Sequence, residues 1–331
     1  MNWYIYELKF ETPVHFGLGQ QGGTLADVTT EFPADSLFAA LCSEAAAIGA
    51  QGLIERLVWL VQEKKLTLSD LLPCRYTKEK RVLFLPKPVY PFDGAAERPR
   101  QSLDEVRKTA TALKKQKKMK YIAVDEMDRY LSAAQKGESF IAMTEPDLGK
   151  FAVTERVNRR GREPLPYSVG AFSFREEAGL YGLVGCEEEN IDWLTGLLEQ
   201  LGMSGIGGKR SSGFGKFELV GDICPLDDSD QMEGRLLKML EAADAPWQML
   251  LSGLCPQPDE LETVGQGFTV LHKRSGFSSS PSGDCKHNDL YLLAAGSCLP
   301  GRPGGGLMSV GQLDGHEIWR YGCGMYAGLK I

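Results

Sequence analysis

Residues 3–11 put Tyr4, Tyr6, Leu8 and Phe10 on one side of an extended chain, and Pro13 follows. Apolar positions at a period of two predict a half-buried strand, which the proline ends. Beyond the glycines at 17, 19, 22 and 23, the positions Leu37, Phe38, Leu41, Ala45 and Ile48 recur at helical spacing. Asp35 or Ser36 is placed to cap that helix and Gly49 to stop it. A second helix over about 51–64 and a short strand, Val82–Leu85, come next. A proline-rich piece from Pro86 to Pro99 then leads into a lysine-rich helix and a helical stretch over Asp125–Lys136, which together read as an insertion. Strand patterns resume at Phe151–Val157, Tyr167–Phe174 and Leu180–Cys186. Arg175-Glu-Glu-Ala-Gly179 predicts a hairpin turn between the last two. Ile191, Leu194, Leu197, Leu198 and Leu201 mark a helix, and a glycine-rich loop, Gly202–Gly215, opens into a strand over Lys216–Val220.

These elements predict an α+β protein of two RRM-like, or ferredoxin-like (βαββαβ), domains with antiparallel sheets. Residues 1–222 carry the glycine-rich loop and a large inserted basic helical and hairpin region. Residues 223–331 read as a second, degenerate ferredoxin-like domain, with strands at Gln248–Leu254, Gly267–Lys273, Asp289–Ala295 and Met325–Ile331.

The chain has 331 residues, 43% of them hydrophobic and 24% charged, enough apolar material for a core. No apolar run reaches the length needed for a bilayer core of about 30 Å, and the first ten residues do not read as a signal peptide, so the expected location is the cytoplasm. Eight cysteines show no C-x-x-C pair, which argues against a zinc site and a disulfide framework. A net charge of −7 has the wrong sign for a protein that coats nucleic acid over its whole surface. Nucleic-acid binding would have to rest on local patches, and two exist: seven Lys or Arg without an acid between Arg107 and Lys120, and four Arg between Arg156 and Arg162.

The glycine-rich loop carries the clearest chemistry. Glycines let a backbone approach a phosphate and present its N–H groups, while Lys209 and Arg210 supply charge. It is not a nucleotide-binding P-loop. The first glycine of that motif is replaced by Met203, Lys209 is followed by Arg210, and the loop leads from helix to strand instead of from strand to helix. The bland alternative is a mobile glycine linker. The carboxylates Asp27, Asp35 and Asp125 are isolated, and Asp227-Asp228-Ser229-Asp230 lacks the pattern of a calcium loop and reads as a solvated linker. No metal or cofactor is expected. The five tryptophans (3, 59, 193, 247, 319) read as core first, with an interface as the alternative for Trp319 beside Arg320 and Tyr321, and the lysine run 114–120 reads equally as a solvated helix face or as a contact with RNA or a partner.

Gly205-Ile-Gly-Gly-Lys-Arg-Ser-Ser-Gly-Phe-Gly215 resembles the G-rich loop of RAMP-superfamily CRISPR proteins. Thr12-Pro-Val-His-Phe-Gly17, Asp35–Cys42, Leu85–Pro88, Lys114–Ile122, Arg156–Tyr167, Ala178–Tyr181 and Trp319–Gly322 follow in the expected order and narrow the resemblance to subunit four of the type III-A Csm effector complex. The agreement is poorest over 223–265. The resemblance implies a non-catalytic subunit that caps the repeat-derived 5′ tag of the guide RNA (crRNA). It also implies docking on the large polymerase/cyclase subunit, contact with the adjacent RAMP backbone subunit, and only indirect contact with target RNA. Carried over by motif, the RNA-facing residues are His15, Phe16 and Gly17; Arg156, Asn158, Arg159 and Arg160; Gly205, Gly207, Gly208, Lys209, Arg210, Ser211, Ser212 and Phe214; and Lys273, Arg274, Ser275, Gly276 and Phe277. Such residues suit single-stranded RNA, with cations and N–H groups on phosphates and aromatic rings under bases. The rival expectation is a metal-independent endoribonuclease that processes precursor crRNA with His15 as general acid or base.

Overall fold

In the computed structural model, residues 1–18, 23–77, 80–91, 102–158, 164–280 and 283–330 are described. The protein is a mixed α+β structure with antiparallel sheets. Its main sheet runs in the order Phe217–Leu219, Asn2–Phe10, Ala178–Cys186, Leu72–Tyr76, Arg81–Pro86, Tyr121–Ala123. Two short strands flank it: Cys224–Pro225 beside Asn2–Phe10, and Thr67–Leu68 beside Ala178–Cys186.

The first strand differs from expectation: Tyr4 through Leu8 are all buried, on both faces. Tyr4, Tyr6 and Leu8 pack under the helices Ala34–Ala47, Gln51–Gln62 and Ile191–Ser204. Ile5 faces a second core formed with Met127–Gln135, Gln231–Glu241 and the strands Trp247–Leu250 and Tyr326–Leu329. The sheet is therefore sandwiched, and residues from beyond 222 supply its far cover. Glu7, alternating with these apolar side chains, is buried and is met by Arg81 and the Tyr76 hydroxyl; the same guanidinium reaches Glu233 on Gln231–Glu241. One cation thus ties the sheet to the helix covering it.

The hairpin expected from the Arg175–Gly179 turn is not the pair that forms. Leu165–Phe174 pairs along its length with Gly149–Asn158, whereas Ala178–Cys186 pairs with Asn2–Phe10 and Leu72–Tyr76. The turn exists, but the chain changes sheets across it. The resulting ribbon is rooted where Val14 and Phe172 exchange backbone hydrogen bonds of 2.8 and 2.9 Å. Along its strand Gly149–Asn158, Phe151, Val153 and Val157 are exposed.

Three further readings are corrected. The first helix is entered through Pro33, with the Asp70 carboxylate accepting from the Ala34 N–H at 2.8 Å, and Asp35 does not cap it but is buried and ion-paired. Asp227–Asp230 is not a mere linker: Asp230 accepts from the N–H groups of Met232 and Glu233 and so caps Gln231–Glu241. Trp59 is not core; it is 48% exposed beneath the Lys65 ammonium. The chain after 243 also holds a ribbon, Gly305–Leu313 with His316–Cys323, turned by Asp314-Gly315, both at positive φ. No helix among the described residues is long and apolar enough to cross a membrane.

Candidate RNA interface

The glycine-rich loop is folded, not a mobile linker. The helix Ile191–Ser204 ends at Gly205 with φ +80°, and the loop closes on itself where Ile206 donates to the Gly215 carbonyl at 3.0 Å. Ile206 is buried, and a single 3₁₀ turn, Arg210–Ser212, forms the tip. The loop is also keyed to the end of the first strand. Gly208 donates to the His15 carbonyl at 2.8 Å, Gly215 to the Pro13 carbonyl at 2.9 Å, and Lys216 to the Thr12 hydroxyl at 2.9 Å. Glycine at 207 is required by space: a Cβ there would stand 2.7 Å from the Phe16 ring.

His15 and Phe16 are buried beneath this loop, while Gly17 is exposed. The His15 ring lies with Nδ1 2.8 Å from the Gly170 carbonyl on the protruding ribbon. One residue, in the segment that follows the first strand, thus links the loop and the ribbon root. Arg156 and Tyr167 sit opposite each other on the ribbon, and both reach the loop: the Arg156 guanidinium lies 5.5 Å from the Phe214 ring centre, and the Lys209 ammonium 5.5 Å from that of Tyr167. Asn158 is exposed near the ribbon's end, and Arg159 and Arg160 lie outside the described residues.

The third predicted segment, Lys273–Phe277, comes from the strands Leu271–Arg274 and Phe277–Ser280. It converges with the others on a cleft of about 600 Å³ lined by Phe16, Gly17, Gly207, Arg210, Arg274, Ser275 and Gly276, with Asp35, His287, Trp319 and Arg320 around them. The cleft continues into a second one of about 450 Å³ past Asp35, Lys273 and Arg274 toward Lys87 and Lys120. Gly205, Gly208, Lys209, Ser211, Ser212 and Phe214 belong to the loop but not to the cleft wall.

The cations are not alike. Arg210 is exposed at the loop tip. Arg274 donates from Nε to Asp35 at 2.9 Å and from a terminal nitrogen to the Ser36 hydroxyl at 2.7 Å. Arg320 donates to the same carboxylate. Lys273 pairs with Asp289 at 2.7 Å. Asp35 is therefore a carboxylate shared by two guanidinium groups, a role hidden in sequence because its partners lie more than 230 residues away. Burial and the adjacent Arg320 charge hold the His287 imidazole below the usual histidine range. Burial raises Asp70 to about 7, and the neighbouring Asp35 and Glu31 charges push the same way, against the N–H donated by Ala34 and the charge of Arg274.

The lysine run lies on the helix Leu103–Lys118 and just beyond it. Lys115 pairs with Glu145 at 2.5 Å and Lys120 with Glu31 at 2.7 Å, so a part of its charge is met within the chain. Asp125 is likewise paired, with Lys80 at 2.5 Å. Tyr167, His287 and Arg320 were not among the residues expected to face RNA. Tyr167 carried a usable signal, an aromatic on a strand facing the arginine cluster; His287 and Arg320 are brought in only by tertiary contacts.

Comparison with known proteins gives this arrangement a family. The RAMP superfamily model matches residues 7–218, and the CRISPR Csm4 C-terminal domain matches residues 243–329. The CRISPR system Cms protein Csm4 of Mycobacterium tuberculosis (strain ATCC 25618 / H37Rv) is 30% identical over 337 residues, covering 99% of this chain and 98% of that protein. The protein of the same name from Streptococcus thermophilus is 30% identical over 339 residues, covering all of both. Among solved structures, a Csm3–Csm4 subcomplex in the type III-A CRISPR-Cas interference complex superposes with a TM-score of 0.61 at 15% identity over 99% of each chain. A Csm1–Csm4 cassette in complex with AMPPNP gives 0.55 at 19% identity over 99% of this chain and 98% of that one. The two structural likenesses speak for the fold, and the full-length sequence relatives for the lineage: this chain belongs to the RAMP superfamily and, within it, to the Csm4 proteins of CRISPR systems.

Proposed function

We propose that this chain is the non-catalytic RNA-binding subunit of a type III-A CRISPR interference complex. It caps the 5′ repeat-derived tag of the crRNA and links it to the large polymerase/cyclase subunit, beside a RAMP backbone subunit. The cleft carries this reading. Residues from three segments distant in sequence, Phe16 and Gly17, Gly207 and Arg210, and Arg274 to Gly276, line one concave surface together with the Trp319 ring, and Arg210 is exposed at the loop tip. Backbone N–H groups and Arg210 suit phosphates, and Phe214 and Phe277 suit unstacked bases.

The partner assignment follows the company kept by similar structures, which were solved as Csm3–Csm4 and Csm1–Csm4 assemblies. The matched segments 7–218 and 243–329 fit two RRM-like units, 1–222 and a degenerate 223–331. The His15 ring is engaged at the ribbon root, an arrangement suited to holding the loop.

Binding of the full chain to tag RNA, followed across a salt series, tests the reading. Lys209→Ala with Arg210→Ala weakens binding and makes the salt dependence shallower, because fewer counterions are released. Unchanged affinity in that variant, or specific cutting of repeat RNA without metal that His15→Ala abolishes, overturns it.

A further inference from the structure

The Arg274–Phe277 turn is held from behind. The Arg320 guanidinium reaches Asp35 with one nitrogen, and with another it lies 3.4 Å from the Ser275 carbonyl and 3.2 Å from His287 Nδ1. His287 donates its backbone N–H to the Gly276 carbonyl at 2.9 Å, and its Nε2 lies 2.8 Å from the Ser278 hydroxyl. Because arginine has only donors, Nδ1 must accept, so the ring proton sits on Nε2 and is directed at Ser278. Arg274 is tied to Asp35 and Ser36 on the first helix. Every residue from 274 to 278 except Phe277 is thereby fastened to one post, and Phe277 is left 69% exposed.

We propose that Asp35, Arg320 and His287 are positioning residues for RNA: without meeting the strand, they fix the Arg274–Phe277 turn so that Phe277 is presented as a stacking platform beside the cleft, whose wall includes its neighbours Gly276 and Ser278. The inference rests on the reading of that cleft as an RNA site. Asp35 and Arg320 are 2% and 8% exposed, so a strand does not reach them; their effect passes through the turn they hold. A guanidinium shared between a buried carboxylate, a carbonyl and an imidazole has its geometry fixed on three sides, which is what a rigid support requires.

A double-mutant cycle on the full chain tests this, read as affinity for a tag RNA at several salt concentrations. Phe277→Ala is expected to weaken binding roughly 10-fold, the loss of about one stacked base. Arg320→Gln is expected to weaken it by a similar factor with an unchanged salt slope, because no phosphate contact is removed. The double variant is no worse than either single one, and Arg320→Lys partly restores binding. If Arg320→Gln does not fold, His287→Leu takes its place in the cycle. Multiplying effects, wild-type affinity in a folded Arg320→Gln or His287→Leu variant, or a shallower salt slope overturns the positioning role. Unchanged affinity after Lys209→Ala with Arg210→Ala would instead overturn the RNA reading itself, so the two failures are distinguishable.

Discussion

Gly208 donates its backbone N–H to the carbonyl of His15 at 2.8 Å, and a Cβ on Gly208 would stand 2.6 Å from Cδ2 of the same histidine. The loop and the strand end are thus a keyed pair in which some glycines are demanded by space and others by backbone angle alone. Gly215, at φ +78° with a virtual Cβ 2.0 Å from the Ile206 carbonyl oxygen, is demanded by both; Gly213, at φ +82°, has open space around it. Gly215→Ala should cost about 2–4 kcal/mol in denaturant unfolding and Gly213→Ala about 1 kcal/mol. Equal costs would show that the loop does not close as described.

Lys209 holds a left-handed conformation, φ +62°, that favours glycine. Lys209→Gly removes that strain, so the variant should unfold no more easily than the parent, with a gain of up to about 1 kcal/mol. Its affinity for tag RNA should fall, since the ammonium is gone. Fold and binding then move in opposite directions, a pattern visible by pairing thermal unfolding with a binding titration.

Arg81 reaches both Glu7 and Glu233, two buried carboxylates. Arg81→Met leaves both without their cation and should destabilise the chain by about 3–5 kcal/mol. Adding Glu7→Gln and Glu233→Gln should recover much of that loss, because the penalty comes from stranded charge and not from lost packing. Unfolding midpoints of the single and triple variants check this.

Asp70 titrates at about 7 in the folded chain, far above the value of 3.8 for an exposed carboxyl. A raised folded value means that the protonated form is favoured by folding, so its contribution is fully present below 3.8 and lost as pH rises through about 7. Asp70→Asn keeps an acceptor for the Ala34 N–H without the charge. It should raise the unfolding temperature at pH 8 and change it little at pH 4; an equal shift at both would sink the assignment.

Much of the first half was legible in the residues. Leu37, Phe38, Leu41 and Ala45 do face the core together, and the helix entering the glycine-rich loop lies where Leu194 to Leu201 place it. What failed was pairing. Tyr167–Phe174 and Leu180–Cys186 were correct as strands, but a turn between strands does not choose their neighbours, and the ribbon's partner across residues 149–158 won. Asp35 misled for a related reason: a carboxylate in a helix's first turn reads locally as a cap, while two arginines folded in from the far end of the chain claim it. The ribbon of residues 305–323 was findable, since Asp314-Gly315 is a strong two-residue hairpin signal.

The ribbon of Gly149–Asn158 with Leu165–Phe174 has a consequence for handling the protein. Its strand Gly149–Asn158 pairs with no strand among the described residues except Leu165–Phe174, and it carries Phe151, Val153 and Val157 at 60%, 62% and 52% exposure. Such a blade is an adhesive strip for a second copy of the chain. Chain purified alone should self-associate as its concentration rises, and placing a lysine at Val153 should keep it dispersed.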